Sequence, residues 1–353
     1  RGRSPRSGRE QRVKADRICI VMMSAVGDAV HVLPVINAIK RDNAQARITW
    51  VLQPGPASMV QGHRSVDEII IFDRARGVAA FGDVVGQLRA RRFDLLINLQ
   101  VYFKAGLITA LSGAPRRLGF DRARARDANW LFTTEQIPAH PVQHVQDQYL
   151  EFLRALEIEP EPVAWDIGPW QEERDWQASF ISRFERPIAS IVVATSKPAK
   201  DWIPARWAEV CDILSSKHGM QPVLVGGTSP HEAEAAAEIM SRSAANPHNA
   251  LGSGLRKLVS ILDASALVLA PDTGPLHMAV AVGTPVISLI GYTDPRRTGP
   301  YRRFQDLIID AFHHEDETSP VTMETRSDRM TRITIDDVAE KISLWALSYR
   351  GKS

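Results

Sequence analysis

The chain has 353 residues, 44% hydrophobic and 24% charged, with a formal net charge of +2, which fits a soluble globular protein long enough for two domains. No apolar run reaches the roughly 20 residues of a membrane-spanning helix. Two cysteines, Cys19 and Cys211, are too few for a disulfide framework and fit a reducing, cytoplasmic compartment.

Residues 1–16 are basic and lack the apolar core and small-residue cleavage site of a secretory signal, so they read as a disordered tail. From residue 17 onward strand and helix signals alternate, the pattern of an α/β fold with parallel sheets. Apolar runs at 17–23, 48–52, 68–72 and 95–98 predict strands, and the periodic stretches 29–41 and 81–92 predict helices. The proline-bearing stretch 157–176 is the predicted linker, which sets the first domain at 17–165. The second domain, 166–334, repeats the alternation. Its strands are predicted at 188–193, 222–225, 267–270 and 286–290, and its helices at 205–218, 231–241, 256–264 and 275–282. The last segment, 335–353, follows Thr334 with Asp336 and Asp337 in its first turn, a helix-start signal, and is expected to pack back across the first domain.

Charge is unevenly spread. Residues 1–165 carry 23 Lys and Arg against 17 Asp and Glu, and the remainder carries 20 against 24. Lys104, Arg116, Arg117, Arg122, Arg124 and Arg126 cluster inside the first domain. Such a cluster suits an anionic acceptor, an anionic lipid surface or nucleic acid, or is simply a solvated face. Few aromatics and no recognition motif accompany it, which argues against nucleic acid.

Open α/β sheets bind ligands beyond the carboxyl ends of their strands, so the junctions between strand and helix are the candidate site. At the first, Gly27 allows close backbone approach and Asp28 falls in the opening helical turn. Asp28 either caps its own helix or serves as a general base. At the second, Thr195 and Ser196 are small donors, and Lys197 and Lys200 are point charges suited to phosphate, unless the loop is merely exposed. Gly226, Gly227 and Glu232 follow at the third. The glycines permit a nucleotide to approach the backbone, and Glu232 suits either a ribose diol or its own helix. The fourth, Asp272–Thr273–Gly274 before Pro275, offers a helix N-terminus to a phosphate, with His277 turned toward it or packed. G-x-G-x-x-G, G-x-x-x-x-G-K-[ST], G-x-S-x-G and H-E-x-x-H are all absent from the sequence, which argues against a dinucleotide fold, a P-loop, an α/β-hydrolase and a zincin.

Taken together, SAVGDAVHVLP at 24–34, KDWIPARW at 200–207, DTGPLHMA at 272–279, GTPVISLIG at 283–291 and TDP at 293–295 resemble the heptosyltransferases, inverting glycosyltransferases of family 9. The resemblance implies the GT-B fold, two Rossmann-like domains whose parallel sheets face a central cleft, with the acceptor on the first and the nucleotide sugar on the second. It implies Asp28 as the base and Lys200, with Thr195 and Ser196, on the donor diphosphate. Gly226, Gly227, Glu232, Asp272, Thr273, Gly274 and His277 would complete the donor site, and Lys104, Arg126 and His144 would bind the acceptor. The implied donor is ADP-heptose, and the implied acceptor is the lipid-anchored, anionic inner core of lipopolysaccharide. No metal and no cofactor are implied, and contact with the cytoplasmic face of the inner membrane would be peripheral. A protein or another glycan as acceptor, or another nucleotide sugar, fits the same segments. A nucleotide-sugar epimerase shares the fold but needs a second acid/base carboxylate that the sequence does not offer. A binding protein that kept the cleft without catalysis would not need both Asp28 and Lys200.

Overall fold

Along each central strand the side chains alternate between two covered faces, which is why these strands read as unbroken apolar runs. The computed structural model describes residues 15–351, so nearly all of the expected basic tail lies outside the described residues. Strands β1 (Arg17–Val21), β2 (Arg47–Leu52), β3 (Glu68–Ile71), β4 (Leu95–Asn98), β5 (Arg116–Gly119) and β6 (Glu135–Gln136) form one sheet in the order β3-β2-β1-β4-β5-β6. Helices α1 (Val26–Asp42), α2 (Pro54–Val60), α3 (Val78–Arg91), α4 (Phe103–Leu111) and α5 (Val145–Ala155) accompany it.

The second half contributes β7 (Ile188–Val192), β8 (Gln221–Val225), β9 (His248–Asn249), β10 (Leu267–Pro271), β11 (Val286–Ile290) and β12 (Ile308–Asp310). Their order, β12-β11-β10-β7-β8-β9, is the winding of the first sheet counted from its own first strand. Every strand pair in both sheets is parallel. The helices of this half are α6 (Arg174–Ile181), α7 (Pro204–His218), α8 (Pro230–Arg242), α9 (Leu255–Ala264), α10 (Gly274–Val282), α11 (Pro295–Thr298) and α12 (Ile335–Ser348). All eight predicted strands are present. Strand order reverses between β1 and β4 in one sheet and between β7 and β10 in the other, the switch points at which such sheets bind ligands.

Packing follows the alternation. Ile18, Ile20 and Met22 face a core shared with Leu33, Val259, Leu276 and Val268, whereas Cys19, Val21 and Met23 face α3 and α4 on the outer side. The shared core runs through both domains, because α1 lies on α10 and α2 on α9. Beyond the second sheet a separate core holds Trp202, Trp207, Leu214, Val338, Ile342 and Trp345. The last of these place α12 on α7, β11 and β12, all in the second domain. This corrects the expectation that the closing helix returns to the first domain: its apolar face matches the aromatic patch of Trp202 and Trp207. Among the described residues no helix is long and apolar enough to cross a membrane.

Candidate active site

Two helix starts from different domains meet where the switch points converge. An ideal Cβ on Gly27 would stand 2.9 Å from His277 Cδ2, and one on Gly274 would stand 3.0 Å from Val26 Cγ1. Only glycine permits so close an approach. No side chain accepts a cap hydrogen bond from the first-turn amides of α1 or α10. Both helices therefore turn positive dipole ends to the cleft, α1 with its first-turn amides and α10 with the Gly274 amide, since Pro275 has no N–H and the Leu276 amide bonds the Thr273 carbonyl.

Of the two parts read from the sequence, Asp28 takes the cap of its own helix, and its second carboxylate oxygen faces Tyr149. Its Oδ2 accepts from the Ala25 amide at 2.9 Å, a capping bond, and its Oδ1 accepts from the Tyr149 hydroxyl at 3.1 Å. Burial pushes its carboxyl up from the ordinary range, against those two hydrogen bonds and the charges of His277 and Arg297. Tyr149 is buried, and its phenol is pushed well above its usual value by burial and by the Asp28 charge, so it stays a donor.

Across the cleft, Lys200 Nζ lies 2.7 Å from Asp272 Oδ2 and 3.1 Å from the Asp272 carbonyl. The same carboxylate accepts from Thr293 Oγ1 at 2.6 Å and Thr298 Oγ1 at 3.2 Å, with His277 Nε2 at 3.7 Å from Oδ1. Burial alone would raise the Asp272 carboxyl, but His277 and Lys200 outweigh it and hold the group well below the carboxylate range. Asp272 is thus a buried anchor that fixes Lys200 at the start of α10. Thr273 and Gly274 form the mouth of that helix.

The loop after β7 is ordered by its own bonds. The Thr195 amide donates to Asp201 Oδ1 at 2.7 Å, and Thr195 Oγ1 donates to the Lys197 carbonyl at 2.8 Å. Ser196 is exposed, and the Lys197 and Lys200 ammonium groups flank the Tyr292 ring at 5.6 and 5.9 Å. Glu232 caps its own helix: it accepts from Gly227 N at 2.6 Å and from Ser229 Oγ at 2.7 Å, with its carboxylate against Gly226 and Gly227. Beside it an open groove of about 660 Å³ is lined by Gly227, Thr228, Ala237, Met240, Asn249 and Leu251.

The basic cluster divides. Arg116 pairs with Glu135 at 2.7 Å, and Arg124 pairs with Asp121 and Glu151 at 2.5 and 2.7 Å. Arg117 donates to the carbonyls of Ala114 and Phe132, and Arg122 covers the Trp130 ring. Lys104 and Arg126 remain exposed, and the Arg126 amide, bonded to the Val101 carbonyl, brings both to the carboxyl end of β4. His144, expected beside them, has both ring nitrogens engaged. Nδ1 accepts from the Gln146 amide at 3.0 Å and Nε2 donates to the Gly299 carbonyl at 3.0 Å, so it caps α5 and joins the domains. Burial brings its pKa down to about 4, against the Gly299 bond. Sequence reading missed Tyr149, Arg297 and Thr298, which stand in no local pattern of their own, and had Thr293 only as the first residue of the TDP segment, without a role. Among the described residues no three His, Cys, Asp or Glu side chains are placed to hold a metal ion.

Fold and site together define a two-domain α/β protein with an anion-receptive cleft between its switch points. The family model for glycosyltransferase family 9 (heptosyltransferase) matches residues 82–326, and the chain belongs to that family. It is a glycosyltransferase of GT-B architecture. It is 29% identical over 292 residues to the lipopolysaccharide core heptosyltransferase OpsX of Haemophilus influenzae, covering 82% of this chain and 83% of that one. Among solved structures it resembles a glycosyl transferase family 9 protein from Veillonella parvula (TM-score 0.82, 20% identity, 94% and 97% of the two chains). It also resembles the E. coli heptosyltransferase WaaC with ADP (TM-score 0.73, 22% identity, 94% and 99%).

Proposed function

We propose that the protein transfers a heptose from ADP-heptose to the anionic inner core of lipopolysaccharide, inverting the anomeric carbon without a metal ion. The observation that carries this reading is the apposition of Asp28, on one domain, to Lys200 and the open start of α10, on the other. The relative named as a lipopolysaccharide core heptosyltransferase supports the choice of donor and acceptor.

The reaction is a single displacement. The acceptor oxygen bonds to the anomeric carbon as the bond from that carbon to the diphosphate oxygen breaks. The electron pair leaves with ADP, and the acceptor proton goes to Asp28. Burial raises the Asp28 pKa and so makes it a stronger base, while its two hydrogen bonds keep the ionised form accessible. Lys200, the amides of Thr273 and Gly274, and the exposed Ser196 hydroxyl meet the charge that grows on the leaving diphosphate, while Thr195, whose two donors are spent within the loop, shapes that loop. That arrangement is preorganised, because Asp272 fixes the lysine before the ligand arrives. It also takes the place of a metal ion in neutralising the diphosphate. His277 closes the site on the side of the sugar. The groove beside Gly226, Gly227 and Glu232 takes the nucleoside, with the free lone pairs of Glu232 on the ribose diol.

Residues 17–165 then serve the acceptor, with Lys104 and Arg126 on its anionic groups, and residues 166–334 serve the donor. A lipid-anchored acceptor brings this basic edge into peripheral contact with the cytoplasmic face of the inner membrane. The test is ADP release from ADP-heptose in EDTA, with and without a deacylated inner-core acceptor. Release that needs the acceptor and survives EDTA is expected, and Asp28→Ala should lower kcat by about 10²–10⁴-fold with ADP affinity kept. Release that EDTA abolishes, or an unchanged Asp28→Ala rate, would overturn the mechanism.

A further inference from the structure

Two consecutive arginines in α11 have opposite surroundings. Arg296 is neutralised by Asp294 at 2.7 Å and donates to the Ser319 carbonyl at 2.6 Å. The Arg297 side chain has no hydrogen bond or ion pair to any described residue, and its Nε is buried without a partner. An unpaired, desolvated guanidinium nitrogen costs free energy that a folded protein ordinarily avoids, so this position is built for something that completes it.

Its place says what that is. Thr298, next along, bonds Asp272 at 3.2 Å, and the carbonyl of Gly299 accepts from His144 at 3.0 Å, so α11 spans the cleft from the donor anchor to the first domain. The Arg297 charge acts on Asp28, Tyr149 and His144, all on the first domain. The donor phosphates already have Lys200 and the α10 N-terminus, whereas the groups on which the Arg297 charge acts belong to the domain that takes the acceptor. Its planar fork matches a carboxylate or a phosphate in two parallel hydrogen bonds.

We propose that Arg297 binds an anionic group of the acceptor, a carboxylate or a phosphate, beside the hydroxyl that Asp28 deprotonates. The donor domain thereby reads the charge of the acceptor, and the acceptor bridges both domains when bound. The same pairing screens Asp28 from the acceptor's negative charge. The proposal rests on the functional reading above.

The experiment uses the full chain with ADP-heptose and a deacylated inner-core acceptor carrying both carboxylates and phosphates, comparing wild type with Arg297→Gln and Arg297→Lys. Arg297→Gln should raise the acceptor KM by about tenfold or more, the loss of one charge-assisted pair. ADP affinity should stay within twofold, which also reports that the variant is folded. Arg297→Lys, which keeps the charge and loses the fork, should fall between the two. Repeating the measurement with the acceptor methyl-esterified, and separately dephosphorylated, identifies the anion: the treatment that makes wild type and Arg297→Gln equal removes the partner of Arg297. An unchanged acceptor KM overturns the proposal, as does a loss of ADP affinity in its place, which would assign Arg297 to the donor. Wild type is measured first, and its failure to turn over would overturn the functional reading itself.

Discussion

Asp28 is pulled in two directions, and the difference between them sets its chemistry. Burial raises its pKa, while the Ala25 amide and the Tyr149 hydroxyl lower it. As the proposed general base Asp28 works only when ionised, so the rate is expected to fall as pH drops through that pKa. Tyr149→Phe removes one of the two hydrogen bonds to the carboxylate and leaves burial in place, which raises the pKa further. The acid limb of kcat/KM is then expected to move to higher pH, with the plateau rate changed by less than about tenfold. A pH–rate profile decides it. An unmoved acid limb, or one moved to lower pH, would show that Tyr149 only packs. The sequence exposed Asp28, Lys200 and Asp272 because each lies in the junction between a buried strand and the helix that follows it. Tyr149 lies 121 positions from Asp28, and only the pairing of α5 with α1 brings it there. Arg297 was hidden for another reason: it is one of two consecutive arginines, and nothing local marks which of them lacks a partner.

At the scale of elements the crossing of α1 and α10 is held at the closeness of backbone contact by Gly27 and Gly274. An added Cβ at Gly27 meets the His277 ring at 2.9 Å, so either the ring turns away from Asp272 or the helices part. Gly27→Ala is expected to cost about 1–3 kcal/mol of stability, the usual range for overpacking a tight contact. His277→Ala should recover most of that loss in the double variant, since it removes the group that is met. Thermal denaturation of the four proteins closes the cycle, and additive losses would refute the contact. The central strands were legible because both faces are covered, and so was the capped start of α12. Strands β5, β6, β9 and β12 were not. The last three have only two or three residues, and β5 opens on Arg116 and Arg117, which read as charge rather than as strand. In α2, Pro54, Gly55 and Pro56 mimic a turn, and α4 is apolar without a clear polar face. The partner of α12 could not be read either, since an amphipathic helix states that it packs without stating where.

Across the whole molecule the two domains share one apolar core, and a line of imidazoles crosses it. The His31 ring lies 4.4 Å from that of His277 and 5.7 Å from that of His144, and His144 is bonded to Gly299 on the opposite domain. Burial lowers the pKa of His31 well below the ordinary histidine range and that of His144 to about 4, and the neighbouring imidazoles add to both effects. Asp272 beside His31 and Asp147 beside His144 raise these values without restoring them, Arg297 adds to the lowering at His144, and Asp28 faces His277. A histidine whose pKa is depressed by folding binds a proton more readily when unfolded, so its contribution to stability is complete above about pH 6.5 and declines as pH falls toward 4. The sign is opposite to that of a histidine paired with a carboxylate. Stability is therefore expected to fall between pH 6.5 and 5, above the range in which ordinary carboxylates titrate. The slope should reach at most about 1.4 kcal/mol per pH unit for each imidazole. In His144→Gln the amide can still donate to the Gly299 carbonyl but cannot be protonated, so its melting temperature should depend less on pH over that window. An equal dependence in wild type and variant would place the pH sensitivity elsewhere. A shallower one would show that the shared core, and with it the apposition of Asp28 to Lys200, is held together by imidazoles that must stay neutral.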